Sequence, residues 1–144
     1  TLQTAPGFEN VTYLGRGPHE NYCDRNSSAF IGLYETTVSD MFTPYILPQE
    51  NGCRTDVQYF NLTDGKNALS FISDDEFDFS VSHYSATDLF KALHPNELIK
   101  HKETIINIDH VHRGLGTGSC GPQTREAYHV DPGIYEFTFV IKTN

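Results

Sequence analysis

The sequence predicts an all-β fold, a sandwich or barrel of antiparallel strands with one short helix. Its aromatic residues are 10 Phe and 8 Tyr with no Trp, and Phe and Tyr favour strands. Seven or eight short segments have strand-like patterns, and turns rich in Gly, Pro, Asn and Asp separate them. Short strands at this spacing are typical of sandwiches and barrels, whereas a parallel α/β sheet needs a helix between successive strands.

The predicted strands run along the whole chain. The pattern is clearest where Phe77, Phe79 and Val81 alternate with polar neighbours, which indicates a strand with one buried face and one wet face. Residues 41–47 contain Pro44 and predict an edge or irregular segment. Strands are predicted over residues 8–14, 28–38, 54–62, 68–72, 77–82, 104–111, 128–130 and 134–142.

One helix is predicted over residues 86–94. Ser85 and Asp88 have the spacing of a capping box, and Pro95 ends the segment. We expect the helix to cover one edge or one end of the sheet. Its predicted apolar stripe consists of Leu89, Phe90 and Leu93.

Length, charge and cysteine content restrict the function classes. The 144 residues predict a single domain, 1–144, and a net charge of −9 without clustered Lys or Arg argues against nucleic acid and anionic membranes. No apolar run reaches the roughly 18 residues of a membrane span, and the N-terminus has no signal-peptide pattern. Cys23, Cys53 and Cys120 fit neither a disulfide framework nor a CxxC site, so we expect free thiols and a cytoplasmic protein.

Two polar stretches, residues 15–25 and 48–52, are candidate contact loops because they place charged, amide and aromatic side chains between Gly and Pro. In one interpretation they contact carbohydrate or a protein partner, since their donors and acceptors suit hydroxyl groups and carboxylates. In the other, their Arg and acidic side chains pair with one another and hold the loop shape. The side chains concerned are Arg16, His19, Glu20, Asp24 and Arg25.

Three further patterns are weaker candidates for chemistry. His110 and His112 would share one face of a strand and form half of a metal site, but no third ligand follows at a fixed spacing, so interface histidines are the alternative. Residues 74–78 are acidic but lack the features of a calcium loop, and they predict a solvated turn. The glycine-rich residues 114–122 lack a phosphate-binding Lys, and no pattern supplies Cys120 with a base. We expect no metal or cofactor bound by this chain.

Several motifs resemble a known family. Residues 15–25, which read Gly-Arg-Gly-Pro-His-Glu-Asn-Tyr-Cys-Asp-Arg, are followed by Ser-Asp-Met-Phe-Thr-Pro-Tyr at 39–45 and Glu-Asn-Gly at 50–52 with Arg54. These motifs are similar to the C-terminal domain of the family-2 β-galactosidases, which is a separate small chain in some members. The resemblance continues in order through residues 79–85, 107–109 and 114–122.

The resemblance implies a β-supersandwich, the sheet-on-sheet architecture of galactose-mutarotase-like proteins, of which this chain is the C-terminal part. It also implies a retaining hydrolase of terminal β-galactosides whose catalytic Glu pair, Mg²⁺ and Na⁺ lie in a separate (β/α)8 barrel. This chain would then hold no catalytic residue and would be inactive alone. Its partners would be the barrel, on the same chain or another subunit, and the galactoside, in an oligomeric enzyme whose active site it supports and completes.

The resemblance further implies two groups of site residues. Family members place a Trp of the sugar-binding platform in the glycine-rich loop, and Cys120 stands at that position, so this stacking surface would be missing or supplied elsewhere. Cys23 replaces a Pro of many members, which would make its loop less rigid. The substrate-adjacent group is Gly116, Thr117, Gly118, Ser119 and Cys120, and the domain-docking group is Arg16, His19, Glu20, Asn21, Asp24, Arg25, Glu50, Asn51 and Arg54.

Two rival functions remain open at this point. One is a free-standing carbohydrate-binding sandwich that holds galactosides without cleaving them. The other is a small enzyme of the galactose-mutarotase type, which needs a well-placed His and Glu.

Overall fold

The computed structural model describes residues 1–116 and 121–144, and in this part of the chain seven strands form one antiparallel sheet. The strands are hydrogen-bonded in the order first, sixth, fifth, fourth, second, third, and the seventh pairs with the early part of the fifth. The predicted all-β class is confirmed. The strands are β1 (Leu2–Gln3), β2 (Asn10–Gly17), β3 (Phe30–Thr37), β4 (Arg54–Thr63), β5 (Ala68–Ser82), β6 (Ile105–Asp109) and β7 (Val140–Thr143).

The predicted helix is present but shorter, as α1 (Ala86–Lys91). Its capping box is confirmed, because Ser85 accepts a hydrogen bond from the Asp88 backbone N–H and Asp88 accepts one from that of Ser85. Single 3-10 turns occur at Pro95–Glu97 and Glu126–Tyr128. Among the described residues, no helix has the length and apolar character required to cross a membrane.

The predicted apolar stripe of the helix is only partly correct. Leu89 is buried, but Phe90 is 90% exposed and Leu93 is 65% exposed. Because α1 ends at Lys91, Leu93 lies beyond the helix and does not share a face with Leu89.

The hydrophobic core lies on one face of the sheet. Tyr13, Phe60 and Phe71 are paired across β2, β4 and β5, and each is at most 1% exposed. The Phe60 ring stacks between those of Phe71 and Phe79, with centroids 4.4 and 4.2 Å away. Each buried ring contributes about 1.5–3 kcal/mol, so this aromatic stack anchors the three central strands. Outside these strands the core is completed by Phe8, Val38, Met41 and Ile106, with Phe137 and Phe139 packed against it.

The first glycines of the candidate loop belong to a strand, so the predicted start of that loop at Gly15 is wrong. β2 continues through Gly17, and its pairing with β3 runs to Phe30. A Cβ atom on Gly15 would lie 2.6 Å from Cγ2 of Val57, so the glycine permits close strand packing there rather than a turn.

The two strands predicted over residues 68–72 and 77–82 are one strand, β5. The irregularity lies in its partner β4, where the register shifts on both sides of Val57 and Asp56 has a positive φ of 54°. Of the acidic stretch 74–78, Asp74, Asp75 and Glu76 are exposed, as expected, but Asp78 is not, and the stretch forms part of a strand and not a turn.

The C-terminal segment departs most from the predicted strands. The predicted strand at 128–130 is absent, since residues 126–128 form a 3-10 turn. Of residues 134–142, only those from Val140 onward join the sheet. Phe137 and Phe139 instead pack on the core from an irregular segment, and Tyr135 is 49% exposed. Apolar alternation therefore reports burial here, not strand pairing.

Candidate functional site: a cleft between three loops

Three loops border a cleft of about 850 Å³, which we call the loop cleft. The first follows β2, the second precedes β4, and the third follows β6. These are the loops that contain the polar stretches and the glycine-rich segment singled out from the sequence. The lining residues are Asp24, Arg25, Tyr45, Gln49, Glu50, Leu115, Gly116, Pro122, Gln123, Thr124, Arg125 and Tyr128.

Asp24 joins the first loop to the glycine-rich loop. Its carboxylate accepts hydrogen bonds from the backbone N–H groups of Leu115 (3.1 Å) and Gly116 (2.7 Å). A Cβ atom on Gly114 would lie 2.7 Å from Cγ of Asp24, so a glycine is needed for this close approach. The acidic side chain therefore acts as a clamp on backbone that borders the cleft.

The other side of the glycine-rich loop is held by Thr124 and Tyr128. The Thr124 hydroxyl donates to the Gly114 carbonyl (2.7 Å), and the Gly114 N–H donates to the Tyr128 carbonyl (3.0 Å). Gly116 has a φ of +63°, and a Cβ atom there would lie 2.7 Å from the Thr124 nitrogen. Of the predicted substrate-adjacent residues, Gly116 lines the cleft, whereas Thr117, Gly118, Ser119 and Cys120 lie outside the described residues.

Glu20 joins the first loop to the second. Its carboxylate accepts hydrogen bonds from Arg25 Nη2 (2.6 Å), from the Gly52 N–H (2.9 Å) and from the Tyr45 hydroxyl. Burial raises the pKa of Glu20, but the hydrogen bonds from Gly52, Tyr45 and Arg25 outweigh it, so the pKa lies below the ordinary Glu value. The carboxylate thus stays charged and holds the two loops together.

Glu50 is a second carboxyl of these loops, and it lines the cleft, where the residue is exposed along its open side. Burial raises its pKa, although the Tyr22 hydroxyl donates to it at 2.7 Å. Burial also raises the pKa of Tyr22, so the phenol keeps its proton and remains the donor. The pKa of Glu50 is therefore raised whereas that of Glu20 is lowered, so Glu50 is the carboxyl closer to protonation.

Several ionisable groups interact with Asp78 of β5. Burial raises the pKa of Asp78 to about 7, the carboxylates of Asp56 and Asp109 act in the same direction, and His112 opposes them. Asp56 is itself paired with Arg16, whose Nε lies 2.6 Å from its carboxylate. The pKa of Asp78 therefore lies near neutral pH.

The two histidines after β6 do not form half of a metal site. The strand ends at Asp109, and the His110 ring stacks on Phe137 at 5.1 Å while His112 lies 5.8 Å from Tyr22. The predicted shared strand face is wrong because the chain leaves the sheet before both residues. Over residues 1–116 and 121–144, no three His, Cys, Asp or Glu side chains are arranged to hold a metal ion.

Most predicted docking residues have partners inside the chain. Asn21 is buried and accepts from the Thr55 N–H and hydroxyl, and Arg54 is 4% exposed and donates to the Tyr13 hydroxyl at 3.1 Å. Asn51 accepts from the Thr43 N–H. These contacts match the second interpretation of the loops, in which polar side chains hold their shape. A docking role for Arg16, His19, Glu20, Asn21, Asp24, Arg25, Glu50, Asn51 and Arg54 stays a prediction.

Five cleft residues were not singled out as candidates from the sequence: Tyr45, Gln123, Thr124, Arg125 and Tyr128. Tyr45 lies in a motif of the family resemblance, which is a signal that could have marked it. The other four follow the glycine-rich loop without any motif. Their place in the wall depends on backbone hydrogen bonds that sequence spacing does not encode.

The two described cysteines are free thiols, as predicted. Cys23 donates to the His112 carbonyl at 3.3 Å, and Cys53 is 3% exposed. Burial raises the pKa of both thiols, so neither has the character of a reactive nucleophile.

Comparison with known proteins identifies the family. A family model described as the β-galactosidase small chain matches residues 1–141 of this sequence. The chain belongs to this family. This member of the β-galactosidase small chain family is also similar to much longer proteins named β-galactosidase.

The β-galactosidase of Staphylococcus xylosus is 34% identical over 141 residues, which is 98% of this chain and 14% of that protein. The β-galactosidase of Vibrio cholerae serotype O1 is 44% identical over 112 residues, 77% of this chain and 10% of that protein. That of Lactococcus lactis subsp. lactis is 37% identical over 143 residues, 99% of this chain and 14% of that protein. This small-chain sequence thus spans 10–14% of the length of these relatives.

Proposed function

We propose that this chain is the C-terminal part of a β-galactosidase, within a supersandwich domain, and that it completes an active site formed by a separate catalytic barrel. The full enzyme hydrolyses terminal β-galactosides with retention. The observation that carries the proposal is the small-chain match over residues 1–141. The loop cleft adds support, because members of four motifs of the family resemblance, residues 15–25, 39–45, 50–52 and 114–122, line it.

In this proposal the chain shapes the site and the barrel performs the chemistry. Asp24 accepts hydrogen bonds from two backbone N–H groups, and Glu50 accepts one from the Tyr22 hydroxyl. Both carboxyls that line the cleft therefore hold the loops in place and do no chemistry. The catalytic Glu pair, Mg²⁺ and Na⁺ belong to the barrel, and the described residues offer no cluster suited to a metal ion. The enzyme is an oligomer of the cytoplasm, a location that the free Cys23 and Cys53 support.

The glycine-rich wall of the cleft is the part we place beside the substrate. Gly116 borders the cleft, and the Asp24 clamp fixes the backbone that leads into residues 117–120. The cleft wall also presents Arg25, Arg125 and Gln49, whose donors suit sugar hydroxyl groups.

The first experiment tests whether hydrolysis needs both this chain and the rest of the enzyme. Hydrolysis of a chromogenic galactoside is measured for the 144-residue chain, for the enzyme that contains it, and for that enzyme without it. Only the complete enzyme should hydrolyse the galactoside. The first product detected by NMR should be β-galactose, as retention requires. Turnover by the chain alone would overturn the division of roles.

The same samples test the rival functions. Calorimetric titration with galactose would show millimolar or tighter binding without turnover if the chain were a free-standing binding module. Catalysed mutarotation by the chain would support the second rival. The described His–Glu contacts, His83 with Glu9 and His94 with Glu97, do not line the loop cleft, which is why mutarotation is not our expectation.

A second experiment tests the place of the glycine-rich loop. In the full enzyme, Cys120→Trp should change KM for galactosides more than it changes thermal stability, because an added indole offers a sugar face about 1 kcal/mol of contact. Cys23→Ala, in the neighbouring loop, is the matched control and should leave KM unchanged. An unchanged KM in the Trp variant for every aglycone tried would place this loop away from the substrate.

A further inference from the structure

An apolar row crosses the face of the sheet opposite the core. The register pairs Leu33 with Leu14, Leu14 with Tyr59, Tyr59 with Ile72, and Ile72 with Val140. Directly paired residues of adjacent antiparallel strands point to the same face. The apolar row (Leu14, Leu33, Tyr59, Ile72, Val140) therefore runs across β3, β2, β4, β5 and β7 without interruption.

The two ends of the row are open in this chain. Leu33 is 62% exposed and Val140 is 51% exposed. Ile31, two residues before Leu33 and on the same face, is 51% exposed. The next row along the strands points to the core face, and its members Tyr13, Phe60 and Phe71 are completely buried. On β3 itself, Tyr34 is paired with Tyr13 and packs against the core, so β3 has apolar or aromatic side chains on both faces, a pattern typical of a strand covered on both sides.

A polar row lies directly beside the apolar row on the same face. It consists of Glu35, Thr12, Asn61, Ser70 and Lys142, which are joined by the same strand pairings. Glu35 and Lys142 are exposed. A second sheet laid over the whole face would remove both charges from water at opposite edges, where they cannot pair, and this is costly. This arrangement favours a partner that covers the apolar row and leaves the polar row in contact with water.

The size of the row restricts the kind of partner. Five strands at roughly 4.8 Å spacing make it about 20 Å long, and one row is about 7 Å wide. That area, on the order of 150 Å², is far below the roughly 800 Å² per partner of a stable interface between separate proteins. A second copy of this chain would not be held by the row alone, whereas a segment tethered by the rest of one enzyme would be.

We propose that the apolar row is a docking site for a single aliphatic ridge, a helix or an extended segment, from the remainder of the β-galactosidase. The ridge lies across the strands with its Leu, Ile or Val side chains on the row, and the polar row stays in contact with water. This inference rests on the proposed function, because the relatives are enzymes of which this chain spans only 10–14%.

The test is thiol labelling of the full enzyme. Leu33→Cys and Val140→Cys report on the two ends of the apolar row, and Glu35→Cys and Lys142→Cys are matched controls two residues away on the same strands and the same face. A maleimide is added under native conditions, and peptide mass spectrometry reads the labelled fraction at each site, so the native cysteines do not interfere.

We expect Leu33→Cys and Val140→Cys to react at least about tenfold more slowly than Glu35→Cys and Lys142→Cys, and equally fast after unfolding in urea. Equal, fast reaction at all four sites would show an uncovered face and overturn the proposal. Protection of all four would indicate cover by a whole sheet and overturn the narrow ridge. Protection that disappears on dilution together with a halved mass would assign the row to a second copy, which also overturns it.

Galactoside hydrolysis is measured on the same samples. Loss of the proposed function would appear as an inactive parent enzyme, whatever the labelling pattern. The two failures are therefore distinguishable. Because the apolar row and the control row each have two cysteine variants, the comparison can still be made if one variant does not fold.

Discussion

The carboxylate of Asp24 accepts a 2.7 Å hydrogen bond from the N–H of Gly116, a residue 92 positions further along the chain. A second bond from the Leu115 N–H and the tight approach of Gly114 make this a specific contact between the first loop and the glycine-rich loop. Charge-assisted bonds of this kind contribute about 1.5–3 kcal/mol each. The two family motifs therefore form one unit, and the cleft depends on it.

Asp24→Asn should weaken substrate binding in the full enzyme. The amide keeps the size of the side chain but replaces one acceptor oxygen with a donor, so one backbone N–H of the glycine-rich loop loses its partner. We expect KM for galactosides to rise about fivefold, which corresponds to about 1 kcal/mol, with kcat changed less. Steady-state kinetics measure it.

Asp40→Asn is the matched control, since Asp40 is exposed and does not line the cleft. It should leave KM unchanged. If Asp24→Asn lowers the melting temperature while KM stays at the parental value, the clamp is structural only and the cleft is remote from substrate.

Gly114→Ala should disturb the same contact from the other side. Its new Cβ would lie 2.7 Å from Cγ of Asp24, so loop and carboxylate must separate. We expect a loss of about 1–3 kcal/mol in the free energy of unfolding, measured by urea titration of the 144-residue chain. Gly133→Ala is the control, because its Cβ meets only Tyr135 at an ordinary 3.5 Å, and its effect should stay within about 0.5 kcal/mol.

The strands that could be predicted from sequence are those in which apolar residues alternate with polar ones. Phe77, Phe79 and Val81 lie in β5 as expected, but the predicted wet face between them is wrong, since the intervening Ser80 is 7% exposed. Prediction failed where a glycine permits close strand packing and not a turn, and where alternating apolar residues are packed on the core without forming a strand. Gly15 lets β2 approach Val57 closely, and Phe137 fills the core from irregular backbone. Both depend on distant neighbours that a local pattern does not contain.

The loops of the candidate site could be predicted, but their internal contacts could not. Residues 15–25, 48–52 and 114–122 were recognised by composition, and members of each border one cleft. Which acid takes which partner depends on the fold: Glu20 binds Arg25 five residues away, whereas Asp24 binds Gly116 across the cleft. Equal charges in one motif thus have different roles, and only the three-dimensional arrangement separates them.

Glu20→Gln should destabilise the chain in a pH-dependent way. Because the pKa of Glu20 in the folded state lies below its ordinary value, its stabilising effect is present at neutral pH and is lost as the pH falls through that lowered pKa. We expect a deficit of about 3 kcal/mol near pH 7, since Arg25, Tyr45 and Gly52 lose a charged acceptor, and a smaller deficit below about pH 4. Urea unfolding at both pH values measures it.

Glu76→Gln, at an exposed position of β5, should show no such deficit at either pH. A Glu20→Gln deficit that is the same at both pH values would mean that the contribution of Glu20 does not come from its charge.

Asp78→Asn should stabilise the chain at alkaline pH. Burial raises the pKa of Asp78 to about 7, so the folded state binds a proton that the unfolded state releases near the ordinary Asp pKa. The contribution of Asp78 is therefore full below about pH 4, declines as the pH rises, and is lost once the pH has passed the folded-state value near 7. A neutral amide avoids this loss, and we expect Asp78→Asn to exceed the parent by about 2 kcal/mol near pH 8 and to match it near pH 4.

Carboxyl ¹³C NMR gives the titration of Asp78 directly, and two neighbours test its cause. Asp109→Asn removes a negative charge and should lower the midpoint, whereas His112→Gln removes a group that favours the carboxylate and should raise it. A lowered midpoint in the first variant and a raised midpoint in the second would show that both charges act on Asp78 in addition to burial. A parental midpoint below about pH 5 would instead mean that water reaches the Asp78 carboxylate and that burial does not control its protonation.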